Sequence, residues 1–365
     1  MQTAIAARTG STVPELVEIP CPRLPSGFGS DDILCRTLEL GICGTDREIL
    51  HAASPWTPPG SPFLVLGHEC IARVEAVGDA VSDWQVGDLV VPAVRRSLPG
   101  ETRRLDYLPL GKFTERGIWS EHGFSAPLWL DKSQHLFRVP AEIADIAVFT
   151  EPLAVAEKGV NEATLLQQAR LGVDIWKTDP PRVLVTGMGP IGFAAAMACA
   201  VRGWVVTMYG RDRTDSFRAT LAGRFGVQYL PATDCCFDLP NVEGDGFDLV
   251  MECTGNDGIL VSASAALRSC GIMVWLGSTR VPLPANLNVA SMMRRALLCN
   301  HLHVGSVNAA PRDFHDALAH LAQLKRTHAD ELQSLITARV SLGESLWHYE
   351  HRQAQGIKTV IEYPA

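Results

Sequence analysis

Cys43 lies in the stretch GICGTDREIL (residues 41–50), bracketed by Gly41 and Gly44, with the Thr45 hydroxyl two residues on. His68 and Glu69 follow in GHE, and Glu151 stands in TEPLA. A packing cysteine needs no glycines around it, whereas a ligand in a tight turn does. One thiolate, one imidazole and carboxylates are zinc donors. A set this small leaves a position open for water or substrate, as a catalytic ion requires.

A second group of residues points to a dinucleotide. VLVTGMGPIG (183–192) places Gly187, Gly189 and Gly192 in a G-x-G-x-x-G spacing directly after an apolar run and before a small-residue helix. The first glycine permits the tight turn, the second lets a pyrophosphate approach the backbone, and the third lets helix and strand pack closely. The unpaired N–H groups of a helix N-terminus then face the phosphates. Pro190 and Ile191 of the same turn, Thr254 in ECTG and Gly277 in WLGS join the candidate cofactor contacts. A preference for NAD goes with an acid at the end of the second strand. Here that strand ends VVTMYGRDRTD, with Gly210 where the acid belongs and Arg211 and Arg213 after it. Guanidinium groups suit a phosphate dianion, so NADP is expected, with NAD possible because Asp212 lies between the arginines. The bland alternative is a solvated loop with both arginines turned away.

These residues need two kinds of scaffold. The first 150 residues carry short β-branched runs between Gly and Pro, among them CIARVEAVG (70–78), GDLVVPAV (87–94) and HLFRVP (135–140). Such spacing predicts a compact, mostly β, barrel-like unit. Residues 151–176 read as helix, and TDPP (178–181) punctuates the chain. From Arg182 strands alternate with helical stretches: RVLVTG, VVTMYG, FDLVMECTG and GIMVWLGS are the apolar runs. That alternation predicts βαβ units and a doubly wound parallel sheet, an α/β class. DFHDALAHLAQLK then reads as helix and IKTVIEYP as strand.

Composition narrows the function. At 365 residues, two domains are expected, and 47% apolar with 20% charged residues suits a soluble globular enzyme. A net charge of −8 argues against nucleic acid and anionic membranes as partners. No apolar run reaches the ~18 residues of a membrane span. MQTAIAARTGST has no basic stretch leading into an apolar run, so no secretory signal is expected. Ten cysteines scattered among apolar neighbours fit a reducing cytoplasm, nine of them in packing roles.

Taken in order, GICGTDREI, GHE, VEAVGDAVSDWQVGDLVV, FTERGI, HGF, TEPLAVAEKG, GMGPIG and GSVNA resemble the zinc-containing medium-chain dehydrogenase/reductase superfamily, and within it the glucose dehydrogenase branch. The resemblance spans nearly the whole chain. It implies a GroES-like catalytic domain over 1–180, completed by 310–365, a Rossmann domain over 181–309, and homodimers or homotetramers. It makes Cys43, His68 and Glu151 the zinc site, with Glu69 a ligand or an exchangeable neighbour. Thr45 would bond the substrate hydroxyl and pass its proton outward. Glu115 in FTERGI and Asn308 in GSVN match positions that contact sugar hydroxyls, and Asn308 is also a candidate neighbour of the nicotinamide.

The chain departs from the family pattern in three places. The lobe that holds a four-cysteine zinc in many relatives reads PAVRRSLPGETRRLDYLPLGKFTERG and has no cysteine, so one catalytic zinc and no structural zinc is expected. The lobe would then be held by packing or by a neighbouring subunit; Arg95, Arg96, Arg103 and Arg104 are candidates for binding a phosphorylated substrate, though a solvated lobe surface is the expectation. Val155 stands where relatives carry a sugar-binding acid, and Leu298 where they carry a glucose-contacting histidine. Losing two hydrogen-bonding groups makes the pocket more apolar. Glucose is the family default; a deoxy or modified sugar, a cyclitol or another secondary alcohol fits comparably. Two rival readings stay open, a zinc-free quinone or enone reductase and a non-catalytic NADP(H) sensor.

Overall fold

The computed structural model describes residues 1–24, 30–172, 175–232, 246–278 and 287–364. It divides into two compact units: Met1–Glu151 with Asn308–Lys325 and Leu335–Ala365, and Pro152–Val307 with Arg326–Ser334.

The first unit is built on a seven-stranded sheet. Its central strand, Asp32–Gly41, alternates buried and half-buried positions and sets Ile33, Cys35 and Leu40 wholly inside. They pack with Ile5, Leu64, Val74, Phe124 and Trp129 in one apolar core, the half-buried alternation expected of an antiparallel sheet. The strand Glu69–Val77 runs antiparallel on one side of it and Lys358–Glu362 antiparallel on the other. Register decides which side chains meet at the strand ends. Gly41 lies opposite Glu69 across one ladder and opposite Val360 across the other. Cys43, His68, Glu69 and Lys358 therefore converge at one end of three adjacent strands, although Glu69 and Lys358 are 289 residues apart. A small second sheet, Arg95–Ser97, Phe113–Arg116 and Ser120–Glu121, forms the cysteine-free lobe.

The second unit has a six-stranded sheet, parallel throughout, in the order Gln228–Pro231, Val205–Gly210, Arg182–Thr186, Phe247–Glu252, Leu267–Trp275, Leu302–Gly305. The order reverses between Arg182–Thr186 and Phe247–Glu252, the switch point at which such sheets bind dinucleotides. Every residue of Phe247–Glu252 is buried, as a strand covered on both faces must be. The apolar runs picked out from the sequence are these strands. The long helix Thr150–Leu171 leaves the first unit after Glu151. Its Gly159 lies so close to Met251 and Val274 that an added Cβ would meet them at 3.1 and 3.2 Å. That packing places residues 152–172 with the parallel sheet, whereas the sequence alone sets the division near 180. Among the described residues, no helix is long and apolar enough to cross a membrane.

Candidate metal centre and dinucleotide cradle

Cys43 is the N-cap of the helix Gly44–His51, in extended conformation, and its backbone N–H is held at 2.9 Å by the Asp46 carboxylate three residues on. That reciprocal cap fixes the turn that carries the thiol. Thr45, half-buried, occupies the first turn of the same helix. His68 and Glu69 are 3% and 1% exposed. One donor atom each from Cys43, His68 and Glu69 lies within 4.8 Å of the other two. Three donors this close together could share a small ion.

Partner bookkeeping supports that reading. His68 Nδ1, Glu69 Oε1 and Asp46 Oδ1 are buried without a hydrogen bond. Unmade bonds of this kind are costly, and in native proteins they call for an explanation such as an ion. His68 Nδ1 stands 3.4 Å from Asp46 Oδ1, close enough for the carboxylate to orient the ring as outer partners of metal-bound histidines do. Burial alone would lower the His68 imidazole, but Asp46 and Cys43 beside it hold it well above its usual range. The other Glu69 oxygen accepts from Lys358 Nζ, whose side chain is wholly buried. Gly41 makes room for this pair, since a Cβ there would overlap the Glu69 carboxylate and approach Lys358 Cδ at 3.3 Å. Glu151 is 8% exposed and does not share the tight three-atom cluster. Its carboxyl is pushed up to about 7 by burial, with Glu69 and Glu115 adding to the shift and His68 and Lys358 opposing it.

Glu115 and Asn308 meet. Glu115 Oε1 accepts from Asn308 Nδ2 at 3.1 Å and from Arg95 Nε and Nη2 at 3.0 and 2.9 Å. Asn308 takes a left-handed backbone conformation with φ of 61°, and its Oδ1 accepts from the backbone N–H of the adjacent Ala309. The arginines correct the sequence reading. Arg95 and Arg96 are not solvated: they are 3% and 8% exposed, because strand pairing sets Arg95 opposite Glu115 and Arg96 reaches Asp131. Arg103 and Arg104 lie further out and pair with Glu101 and Asp106. Arg95 also covers the Phe113 ring at 3.9 Å, and Trp56 stacks on Trp119 at 4.1 Å. The lobe is thus held within the chain by buried ion pairs and aromatic packing. His122 Nδ1 accepts from the Val65 N–H, tying the HGF loop to a strand.

In the second unit, Gly187 has φ of 98°, a left-handed value that favours glycine, and its N–H bonds the Tyr209 carbonyl at 2.8 Å. Gly192 faces that turn so closely that a Cβ would overlap the Gly187 carbonyl oxygen. Gly189 differs: it is the N-cap of Pro190–Ala200, and a Cβ there would meet nothing within 4 Å. Pro190 opens this helix, Ile191 follows, and no side chain caps it. A helix N-terminus without a side-chain cap, below open space, has the form that suits a phosphate. Thr254 sits against Gly187, its N–H bonded to the buried Glu252 carboxylate at 2.8 Å, and Gly277 packs on Gly255. Arg211 is exposed and has no partner among the described residues, while Arg213, also exposed, pairs with Asp215. Val155 is half-buried and Leu298 is 61% exposed. His303 packs edge-on to Trp275.

Sequence reasoning missed Asp46 and Lys358 and misplaced Arg95. Asp46 had a local signal, an acid three residues after the N-cap cysteine. Lys358 had only the oddity of a lysine in an apolar strand.

Comparison with known proteins agrees with this architecture. Residues 29–141 match the alcohol dehydrogenase GroES-like domain, and residues 144–363 match the glucose dehydrogenase C-terminus. Glucose 1-dehydrogenase of Thermoproteus tenax is 39% identical over 333 residues, covering 90% of this chain and 91% of its own. Glucose 1-dehydrogenase 1 of Caldivirga maquilingensis is 37% identical over 334 residues, covering 90% of each. The structure of Haloferax mediterranei glucose dehydrogenase in complex with NADP, Zn and gluconolactone superposes with a TM-score of 0.86 at 27% identity, covering 100% of this chain and 99% of that one.

Proposed function

The chain belongs to the zinc-containing medium-chain dehydrogenase/reductase superfamily, on its glucose dehydrogenase-like branch, and from that premise we propose that it is a zinc-dependent, NADP-linked dehydrogenase oxidising a secondary or hemiacetal hydroxyl of a sugar, cyclitol or related polyol. The observation that carries this reading is the group Cys43, His68 and Glu69, with donor atoms within 4.8 Å and a buried Glu69 oxygen without a hydrogen bond among them. The glucose 1-dehydrogenases and the NADP–Zn–gluconolactone complex among its relatives support it.

Cys43 and His68 would hold one zinc per chain, with Glu69 or Glu151 as the carboxylate donor. Bound there, zinc supplies Lewis acidity that lets a hydroxyl ionise near neutral pH. NADP, bound on Gly187, Gly189, Pro190, Ile191 and Gly192, supplies a two-electron hydride acceptor. The remaining work falls to the chain itself. Thr45 bonds the substrate hydroxyl and takes its proton outward. Asp46 holds the His68 ring and the Cys43 turn in place. Glu115, gripped by Arg95 and Asn308, keeps its Oε2 for a sugar hydroxyl. Glucose is the family default, and a deoxy or modified sugar, a cyclitol or another secondary alcohol remains a candidate substrate.

A zinc-free reductase needs no buried thiol, imidazole and carboxylate with open valences, so the metal-dependent reading is favoured. The test is absorbance at 340 nm with zinc-replete protein, NADP and a panel of sugars, cyclitols and secondary alcohols. A rise with at least one of them is expected; silence across the panel overturns the proposal. Homodimers or homotetramers are expected from the family, and light scattering checks this. The eight described cysteines are free thiols, which supports a reducing, cytoplasmic setting.

A further inference from the structure

The turn after Val205–Gly210 mixes signs: Arg211, Asp212, Arg213 and Asp215 stand close together. Gly210 itself cannot become the acid that holds a ribose 2′-OH without displacement, because a Cβ there would press on Met188 Cγ at 2.5 Å. Asp212 is the first carboxylate after it in sequence and would compete for that role, and its charge would also repel a 2′-phosphate. It is not free to do either. Arg218, on the helix Phe217–Arg224, grips it with Nε and Nη2 at 2.6 Å to each carboxylate oxygen. The Asp212 side chain is left 9% exposed. A bidentate pair of this geometry is the strong form of the interaction. Tyr229 holds the backbone of the same turn, its hydroxyl lying 2.9 Å from the Gly210 carbonyl oxygen and 2.6 Å from that of Asp212. Arg213 is cancelled by Asp215. Among the described residues of the turn, one unpaired positive charge remains, Arg211.

We infer that Arg218 is a positioning residue for cofactor choice: by sequestering Asp212 it leaves Arg211 alone to meet the 2′-phosphate and removes the carboxylate that would select NAD. This rests on the NADP-linked reading above and adds to it a residue seven positions beyond the arginine that would touch the phosphate. In the Arg218→Leu variant Asp212 loses its bidentate partner, and its charge is no longer offset in the turn that carries Arg211. A unit negative charge about 6 Å from a dianion weakens its binding roughly tenfold in water, and more clearly at low ionic strength.

The experiment measures adenosine 2′,5′-bisphosphate binding by calorimetry, which needs neither zinc nor turnover, together with kcat/KM for NADP and NAD. R218L is expected to lose roughly tenfold in bisphosphate affinity and in its NADP-to-NAD ratio. Asp212→Asn, which removes the carboxylate from the turn, is expected to bind the bisphosphate at least as tightly as the parent. The double variant D212N/R218L is expected to recover the parent affinity, which a merely structural loss at Arg218 would not do. If the parent binds the bisphosphate well and R218L matches it, or the double variant stays as weak as R218L, the role of Arg218 is refuted while the NADP reading stands. If the parent itself ignores the bisphosphate, the NADP reading fails instead.

Discussion

Replacing Lys358 by Met tests the metal centre without touching any proposed ligand. Lys358 and Glu69 are 0% and 1% exposed and bond each other directly, so methionine would keep the apolar stem and remove only the counter-charge. Breaking a buried pair from one side costs about 3–5 kcal/mol, because the remaining charge is left uncompensated. The first unit has about 200 residues by its bounds, and at that size each kcal/mol shifts Tm by about 2–4 °C. The metal-free variant should therefore melt roughly 6–20 °C below the metal-free parent. Zinc changes the outcome, since a bound cation near the open Glu69 Oε1 offers the carboxylate a new partner. The deficit should shrink by more than half when both proteins are zinc-loaded, as read by calorimetry before and after chelation. Glu69→Gln combined with Lys358→Met should also recover most of the loss, because both charges are then gone. An equal deficit with and without zinc would refute the reasoning, showing that Glu69 does not face the ion.

Three further outcomes are expected. Cys43→Ser or His68→Ala should lose stoichiometric zinc by elemental analysis and lose turnover, while still binding adenosine 2′,5′-bisphosphate; normal activity in either would remove them from the site. Glu151 has its carboxyl raised from the ordinary 4.5 to about 7, chiefly by burial, and His68 is raised too, by Asp46 and Cys43 against its burial. Groups raised in the folded state favour it at low pH, so the Glu151 contribution is full below 4.5 and lost as pH rises through about 7. Metal-free protein should lose that stability across this window, and zinc uptake at pH 6 should release protons, seen as a buffer-dependent calorimetric heat; no buffer dependence would count against these ligands. Arg95→Leu should destabilise the protein by about 3 kcal/mol in urea titration and raise KM for the sugar, since Glu115 is left buried without its guanidinium; a stable variant with unchanged KM would show that the lobe does not depend on the pair.

The parts of the molecule legible in the sequence are those whose signal is local. The G-x-G-x-x-G spacing is read directly because each glycine answers to a neighbour within a few residues, as Gly192 does to Gly187. Strands such as Arg182–Thr186 are plain because burial on both faces leaves the apolar run VLV at their centre, buried throughout. Charged residues are another matter. Arg95 and Arg103 look alike in one dimension, yet register buries the first against Glu115 and leaves the second outside. Lys358 reads as an ordinary strand residue until Lys358–Glu362 is placed beside Asp32–Gly41. The division between the units moves from 180 to 151 for a similar reason: a helix states its own existence, but only its packing says which sheet it covers.

Because Lys358–Glu362 lies inside the principal sheet of the first unit, between Asp32–Gly41 and Ile336–Val340, timing is written into the architecture. A ribosome translates every residue of the parallel-sheet unit before it delivers the strand bearing the Glu69 counter-ion. Domains fold as units while the chain emerges, so the nucleotide-holding half can mature early. The half bearing Cys43 and His68 keeps an open sheet edge until Ile336–Val340 and Lys358–Glu362 emerge, and until then Glu69 lacks its buried counter-charge.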